Sequence, residues 1–520
     1  MEKTKRPEAG RQRLVAILEI GSTGIRSLIA ELYGGGAWKF LDRAGKPIAL
    51  GRDVFSSVQV SRESLLECLS VLRGFREHLS GWGIADEDIH CIATSALRAA
   101  KNRDVFVDRV RQETGFNFTV VEGIEENRLI YLAVRFAIKS DLPQFWRANS
   151  MIIDVGGGST EIMLLRRGKM VAAHSIKLGT ILIDQQSRMA LGSVRSQARY
   201  LNENIRNTSE FLNAELALSH VRIFIIAGSV AQLVAALIGR EVNETCWVIA
   251  REDFINFVEE VRSYSVDDTV QKLQVPFADA EGFVPGILVY KLFLERTAAA
   301  QVVVPLVSIR EGLLIDMARG VDPTLQEDFF SQVIASAVNL GRKYHYDEPH
   351  NRHVAFLCLS LFDFLMKEHG MNRRERMMLE VAATLHDIGM FIRSSGHHKH
   401  GQYIVANSEI FGLHQEELDV IANVIRYHRG GLPLPTDIDY IALQKEERIL
   451  MLKMASILRV SDALDRGHSQ HIRSITVEKK NEAIMIYAQG NYDHSLEQIG
   501  LEEKAGLFQD VFGYKVVLNG

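Results

Sequence analysis

Three consecutive glycines between two acids carry the strongest chemical signal in the chain. The stretch Ile152-Ile153-Asp154-Val155-Gly156-Gly157-Gly158-Ser159-Thr160-Glu161 reads as an apolar strand, Met151 to Val155, that enters a loop almost free of side chains. A returning strand runs from Thr160 to Leu165. Glycines let backbone N–H groups approach an anion closely, and Asp154 and Glu161 set two carboxylates beside the loop. That combination suits a phosphate chain whose charge is offset by Mg²⁺, which takes oxygen ligands and keeps several of its waters. A plain glycine-rich hairpin is the bland alternative, and the flanking carboxylates weigh against it.

A second copy of the pattern lies near the start of the chain. Leu14 to Ile20 is another apolar strand, followed by Gly21-Ser22-Thr23-Gly24 and a returning strand from Ile25 to Leu32, with Glu19 in the place of Asp154. Two such units imply an internal duplication with two phosphate loops facing one another across a cleft, as in the actin-like fold. Between them, a strand from Asp88 to Thr94 delivers Thr94-Ser95-Ala96-Leu97-Arg98. Arg98 is either a surface arginine or a bidentate phosphate clamp. The strand Phe118 to Glu122 leads into Glu125-Glu126-Asn127-Arg128 and a helix reaching Ile138. There the acids either complement the helix dipole or orient an attacking water.

The series Gly21-Ser22, Thr94 to Arg98, Glu125 to Leu129, Asp154 to Glu161 and Arg310-Glu311-Gly312-Leu313-Leu314 resembles the exopolyphosphatase and guanosine pentaphosphate phosphohydrolase family. Order and spacing match as well as residue type, over nearly the whole chain. The resemblance implies Glu125 as general base for water, and Arg98 with Gly21, Ser22, Thr23, Gly156, Gly157, Gly158 and Ser159 as the phosphate cradle. It implies Asp154 and Glu161, with Glu19 in the equivalent place, around Mg²⁺. Two departures stand out. The family's first loop usually reads Asp-x-Gly-Ser-Asn-Ser, whereas here it is Glu19-Ile20-Gly21-Ser22-Thr23-Gly24, which loses an amide donor and a hydroxyl. An expected Arg-Ala-Asp before Gly286 is Asp279-Ala280-Glu281.

From about Gln326 to His471 the pattern turns helical and histidines gather. His353, His386-Asp387, His428 and Asp462 fall in the order of an HD phosphohydrolase site, with His397, His398 and His400 between. Imidazole plus carboxylate suits Mg²⁺ or a transition metal such as Mn or Fe used to activate water. The expected six ligands are His353, His386, Asp387, His400, His428 and Asp462. Singly, each of these histidines reads as a structural or surface group, and in the named family the region is often a scaffold without metal.

The elements that must hold these residues follow from composition and punctuation. A chain of 520 residues, 47% hydrophobic and 24% charged, is too long for one core and ordinary for a globular protein. The reading is an α/β actin-like (ribonuclease H-like) pair at 1–135 and 136–322, an all-α HD-type domain at 323–471 and a small α+β domain at 472–520. Asp322-Pro323 marks the central boundary. A net charge of -5 argues against a nucleic-acid partner. Four scattered cysteines exclude a disulfide framework or zinc finger, and no run is long enough for a membrane span. Residues before Arg13 read as a loose polar tail and not a signal peptide, which together with the cysteines implies a cytoplasmic protein. The end domain reads as a packing element, with a homodimer expected.

Three functions fit. The leading one is a Mg²⁺-dependent phosphohydrolase releasing terminal phosphate from polyphosphate or guanosine pentaphosphate. The second is a metal-dependent hydrolase in the HD region with the actin-like half as sensor. The third is a catalytically weak binding protein for polyphosphate or a nucleotide.

Overall fold

Apolar runs without alternation form strands that are covered on both faces, and both glycine loops leave such strands. The computed structural model describes residues 13–33, 37–138, 145, 147–189, 194–319, 323–489 and 493–519. The expected tail before Arg13 and the boundary residue Asp322 lie outside them. Two compact units are formed, one reaching Phe329 and one starting at Phe330.

In the first unit, β1 (Arg13–Ile20) pairs antiparallel with β2 (Gly24–Leu32), which pairs with β3 (Trp38–Pro47); on its other side β1 runs parallel to β4 (Ile89–Ala93), and β4 to β5 (Phe118–Val120). The same plan recurs around β6 (Asn149–Val155). Strands β7 (Thr160–Arg166) and β8 (Lys169–Ile176) form the antiparallel side, and β9 (Val221–Ala227) lies parallel on the other. Beyond β9 the second sheet gains β10 (Arg240–Asn243), β11 (Cys246–Ala250) and β12 (Gln301–Pro305), giving the order β10-β11-β12-β9-β6-β7-β8 against β3-β2-β1-β4-β5 in the first. An antiparallel meander with parallel strands added to its first member, built twice, is the actin-like duplication. The strands β3, β8, β10, β11 and β12 are additions to the sequence reading.

Each sheet has its own core. One face of the first sheet packs Ala16, Leu18, Ile20 and Ile29 against Leu69, Leu72, Phe75 and Leu79 of the helix Arg62–Gly81, whose N-cap Ser61 accepts a hydrogen bond from the Ser64 N–H at 3.2 Å. The opposite face, Val15, Ile17, Leu28 and Ala30, is closed by Leu314. Leu314 lies on the helix Ile309–Arg319, at the far end of the unit's sequence. That helix also crosses the helix Gly123–Ile138, so closely that a Cβ on Gly312 would lie 2.1 Å from the Leu129 carbonyl oxygen. The motif Arg310-Glu311-Gly312 is thus a crossing point that only glycine permits.

In the second unit the helices Glu348–Phe364, Arg373–Leu385, His397–Ala406, Gln415–Tyr427 and Lys445–Ala463 pack together. A sheet of β13 (Ile475–Lys480), β14 (Ala483–Ala488) and β15 (Lys515–Asn519) completes the unit. Two short helices, Ser495–Lys504 and Gly506–Phe512, both pack on Lys445–Ala463. Among the described residues no helix is long and apolar enough to cross a membrane, and all four cysteines are buried and unbridged.

Two glycine substitutions with opposite signs test this packing. Gly312→Ala must push against backbone and should lower stability by about 1–3 kcal/mol. Gly74→Ala, inside a helix with nothing within 4 Å of the added atom, should raise it by about 0.5–1 kcal/mol. Denaturant unfolding of the three proteins checks both signs.

Candidate functional site

The two glycine loops are built alike. In the first, the Gly21 N–H donates to the Gly24 carbonyl at 2.9 Å; in the second, the Gly156 N–H donates to the Ser159 carbonyl at 2.9 Å. Glu19 pairs in register with Arg26, and Asp154 with Glu161. The loops meet through close approaches. Ser22 lies against Gly157, and a Cβ on Gly158 would lie 2.1 Å from the Phe55 ring. Gly158 therefore serves this contact, while Gly156 and Gly157 line the cleft. Gly24 has a similar explanation: a Cβ there would sit 2.8 Å from the Lys46 carbonyl oxygen, so the hydroxyl missing from the family pattern is excluded by β3.

Between the loops lies a cleft with a cavity volume of about 190 Å³, lined by Glu19, Gly21, Ser22, Thr23, Glu126, Asp154, Gly156, Gly157, Ser159 and Glu161, among others. Arg26, Arg310 and Asp279 line it too, and sequence reasoning gave none of them a site role. Arg26 was legible from the duplication, since it occupies the position of Glu161 across the hairpin. Arg310 Nη1 donates to Glu19 Oε2 at 2.6 Å, and Arg26 Nη2 to Thr23 Oγ1 at 3.1 Å. Glu281, the second acid of the departing Asp-Ala-Glu, pairs with Arg52. Asp279 remains at the cleft wall.

Glu125 and Glu126 part company at the start of their helix. Glu125 takes a bidentate pair from Arg128, at 2.6 and 2.7 Å, and Arg128 makes a second bidentate pair with Asp316, at 2.7 and 2.8 Å. This guanidinium ties the helix Gly123–Ile138 to the helix Ile309–Arg319, and Glu125 is outside the cleft lining. Glu126 lines the cleft and pairs with Arg98. Arg98 also donates to the Val121 carbonyl at 2.7 Å and reaches Ser159 Oγ at 3.5 Å, so it stands behind the lining residues. The base expected at position 125 thus has its cleft-facing counterpart one residue later, because a helix turns about 100° per residue.

Carboxylate crowding governs the electrostatics. Enclosure by the protein, with repulsion from Glu126 and Glu19, pushes the Asp154 carboxyl up to about 7. Burial also raises Glu126, with Arg98 opposing, and raises Glu161 well above the usual carboxylate range, with Glu126 adding to it. Glu161 is fully engaged: Ser159 Oγ and Ser175 Oγ donate to Oε1 at 2.9 and 2.8 Å, and Asn127 Nδ2 to Oε2 at 3.0 Å. No such donor reaches Asp154 among the described residues, which leaves its oxygens open to a cation. Hard oxygen donors in excess of local positive charge fit Mg²⁺.

Residues 29–320 match the model of the Ppx/GppA phosphatase family, and residues 334–505 match the model of Ppx/GppA phosphatase, domain III. The chain belongs to the Ppx/GppA phosphatase family. It is thereby an enzyme that hydrolyses phosphate bonds. Relatives include the guanosine-5'-triphosphate,3'-diphosphate pyrophosphatase of Pseudoalteromonas atlantica, 23% identical over 467 residues, 88% of this chain and 87% of that protein. The protein of the same name from Pseudoalteromonas translucida is 22% identical over 526 residues, 98% and 99% of the two chains. The crystal structure of an exopolyphosphatase from Cytophaga hutchinsonii shares the fold, with a TM-score of 0.53 at 19% identity, over 60% of this chain and 99% of that one.

The family's domain III region, here in the second unit, also gathers titratable groups. Of the six expected ligands, His386, Asp387, His428 and Asp462 come together. His353 and His400 do not: their places are taken by His350 and His397, each one helical turn earlier. His353 stacks instead on Phe356.

The Asp154 shift carries a sign. An acid whose folded pKa lies near 7 instead of 3.8 holds more protons in the folded state between those values, so the stability of the metal-free protein falls as pH rises through that window. In chelator, Asp154→Asn should therefore melt above the parent at pH 8, with the gap narrowing towards pH 5. A gap independent of pH, read by thermal denaturation, would contradict the buried charge.

Proposed function

We propose that the cleft of the first unit hydrolyses the terminal phosphoanhydride of inorganic polyphosphate or guanosine pentaphosphate, with Glu126 as general base and Mg²⁺ as cofactor. The observation that carries this reading is the placement of Glu126: buried, facing both glycine loops, and paired with Arg98. The names of the relatives, pyrophosphatase and exopolyphosphatase, support the substrate class. In this reading domain III retains an HD-type helical fold.

Phosphoryl transfer asks little covalent work of the protein, so positioning and charge neutralisation set the rate. The loop N–H groups of Ser22, Thr23 and Gly157 orient the terminal phosphate, helped by the hydroxyl of Ser22. Asp154 would hold Mg²⁺ directly, with Glu19 and the hydrogen-bonded Glu161 supporting it. When bound there, Mg²⁺ would offset negative charge on the phosphate oxygens. Glu126, raised by burial with Arg98 opposing, is the cleft carboxylate placed to take a proton from water. Arg98 holds the Glu126 carboxylate in place and lies within reach of Ser159, so it can follow negative charge as it develops on the phosphoryl group. Arg26 and Arg310 supply the remaining positive charge at the walls.

Two neighbouring substitutions separate this assignment from the one the sequence favoured. Glu126→Gln should lower phosphate release from polyphosphate roughly 10²-fold or more with little change in binding. Glu125→Gln should retain turnover near the parent's and lose stability, since Arg128 loses half its ion pairing. Steady-state phosphate release with thermal melts of both variants reads the two effects, and the reverse pattern would return the base to Glu125.

A further inference from the structure

Four imidazoles in the second unit aim the same atom at one carboxylate. Each ring engages an acceptor through Nδ1: His350 with Asp465 at 2.8 Å, His386 with the Ala383 carbonyl at 2.8 Å, His397 with the Ser394 carbonyl at 2.9 Å and His428 with the Ile425 carbonyl at 2.7 Å. An acceptor at Nδ1 fixes the proton there and leaves the Nε2 lone pair for a cation. These Nε2 atoms converge on Asp387 from two sides. His397 and His428 lie 3.0 and 3.7 Å from Oδ1, while His386 and His350 lie 3.6 and 3.9 Å from Oδ2. On the second side, Asp462 Oδ1 is 3.8 Å from His350 and 3.9 Å from His386.

All six side chains are buried, and the Nε2 atoms of His350 and His386 have no hydrogen-bond partner. Two unpartnered buried nitrogens are costly in a cluster that serves packing alone. The His397 and His428 Nε2 atoms face each other at 3.4 Å, beside the same Asp387 oxygen. A ligand shell of about 2.1 Å radius sets neighbouring donors roughly 3.0–3.4 Å apart, and the donor atoms of His350, His386 and Asp462, like those of Asp387, His397 and His428, lie within 4.8 Å of one another.

We infer that the second unit holds a dinuclear metal centre for first-row divalent ions, with Asp387 as the bridging carboxylate. One ion would take His350, His386 and Asp462 with Asp387 Oδ2; the other would take His397 and His428 with Asp387 Oδ1. Mixed imidazole and carboxylate donors suit Mn²⁺ or Fe²⁺ over Mg²⁺. Asp465 behind His350 fixes that ring as an outer partner. Lys504, paired with Asp462 Oδ2, holds the same carboxylate from outside and leaves Oδ1 facing the imidazoles. This centre is separate from the cleft chemistry and stands whether or not the cleft reading does.

Metal content of the full chain tests it. Protein purified without chelator, or stripped and incubated with Mn²⁺ or with Fe²⁺ under anaerobic conditions and then desalted, should carry about two ions per chain. His397→Gln should carry about one and Asp387→Asn close to none, whereas Asp154→Ala in the cleft should keep both. Circular dichroism confirms folding, and if Asp387→Asn does not fold the step from two to one in His397→Gln decides. A parent with no metal, or with one ion that His397→Gln leaves in place, overturns the dinuclear centre.

Discussion

Repulsion among carboxylates is the constraint on which the first unit depends. Glu19, Glu126, Asp154 and Glu161 share one cleft, and each is handled differently by its surroundings. Glu19 is paired with Arg310, Glu126 with Arg98, and Glu161 is saturated by Ser159, Ser175 and Asn127. Asp154 alone of the four has no such support among the described residues, and its carboxyl, like those of Glu126 and Glu161, is raised by burial. Of the four, only Glu19 and Glu126 face a guanidinium, so the cleft holds more carboxylate than local positive charge, and the excess is concentrated at Asp154 and Glu161.

The duplication explains the geometry, and the differences between the copies explain the chemistry. Both hairpin loops are closed by the same backbone bond, but the partner across the strand is Arg26 in one copy and Glu161 in the other. Two loops closed in the same way therefore present opposite charges towards their shared cleft.

Much of this was legible in the sequence, and the failures are instructive. The two glycine loops, Asp154 after its strand and the Arg98 segment were readable because a strand end plus glycine leaves few structural options. The choice between Glu125 and Glu126 was not, since neighbouring acids in a helix's first turn look alike until the partner is known. That partner, Asp316 through Arg128, lies almost 190 residues away. The same limit acted in the second unit. His386-Asp387 and Asp462 were found in order, whereas His350 and His397 were displaced to His353 and His400 because helix phase was undetermined near the helix starts. Gly158 carried the opposite lesson: a glycine demanded by Phe55 looks the same in sequence as one demanded by a phosphate.

The closure of the first sheet by Leu314 has a consequence for synthesis. Val15, Ile17, Leu28 and Ala30 leave the ribosome early, yet the helix that covers them follows about 300 residues later. At about 5–20 residues per second, that sheet face waits roughly 15–60 s for its cover. The nascent chain must therefore shelter an apolar sheet face until the helix Ile309–Arg319 emerges, which makes this stretch of translation the period in which a holding chaperone has the most to bind.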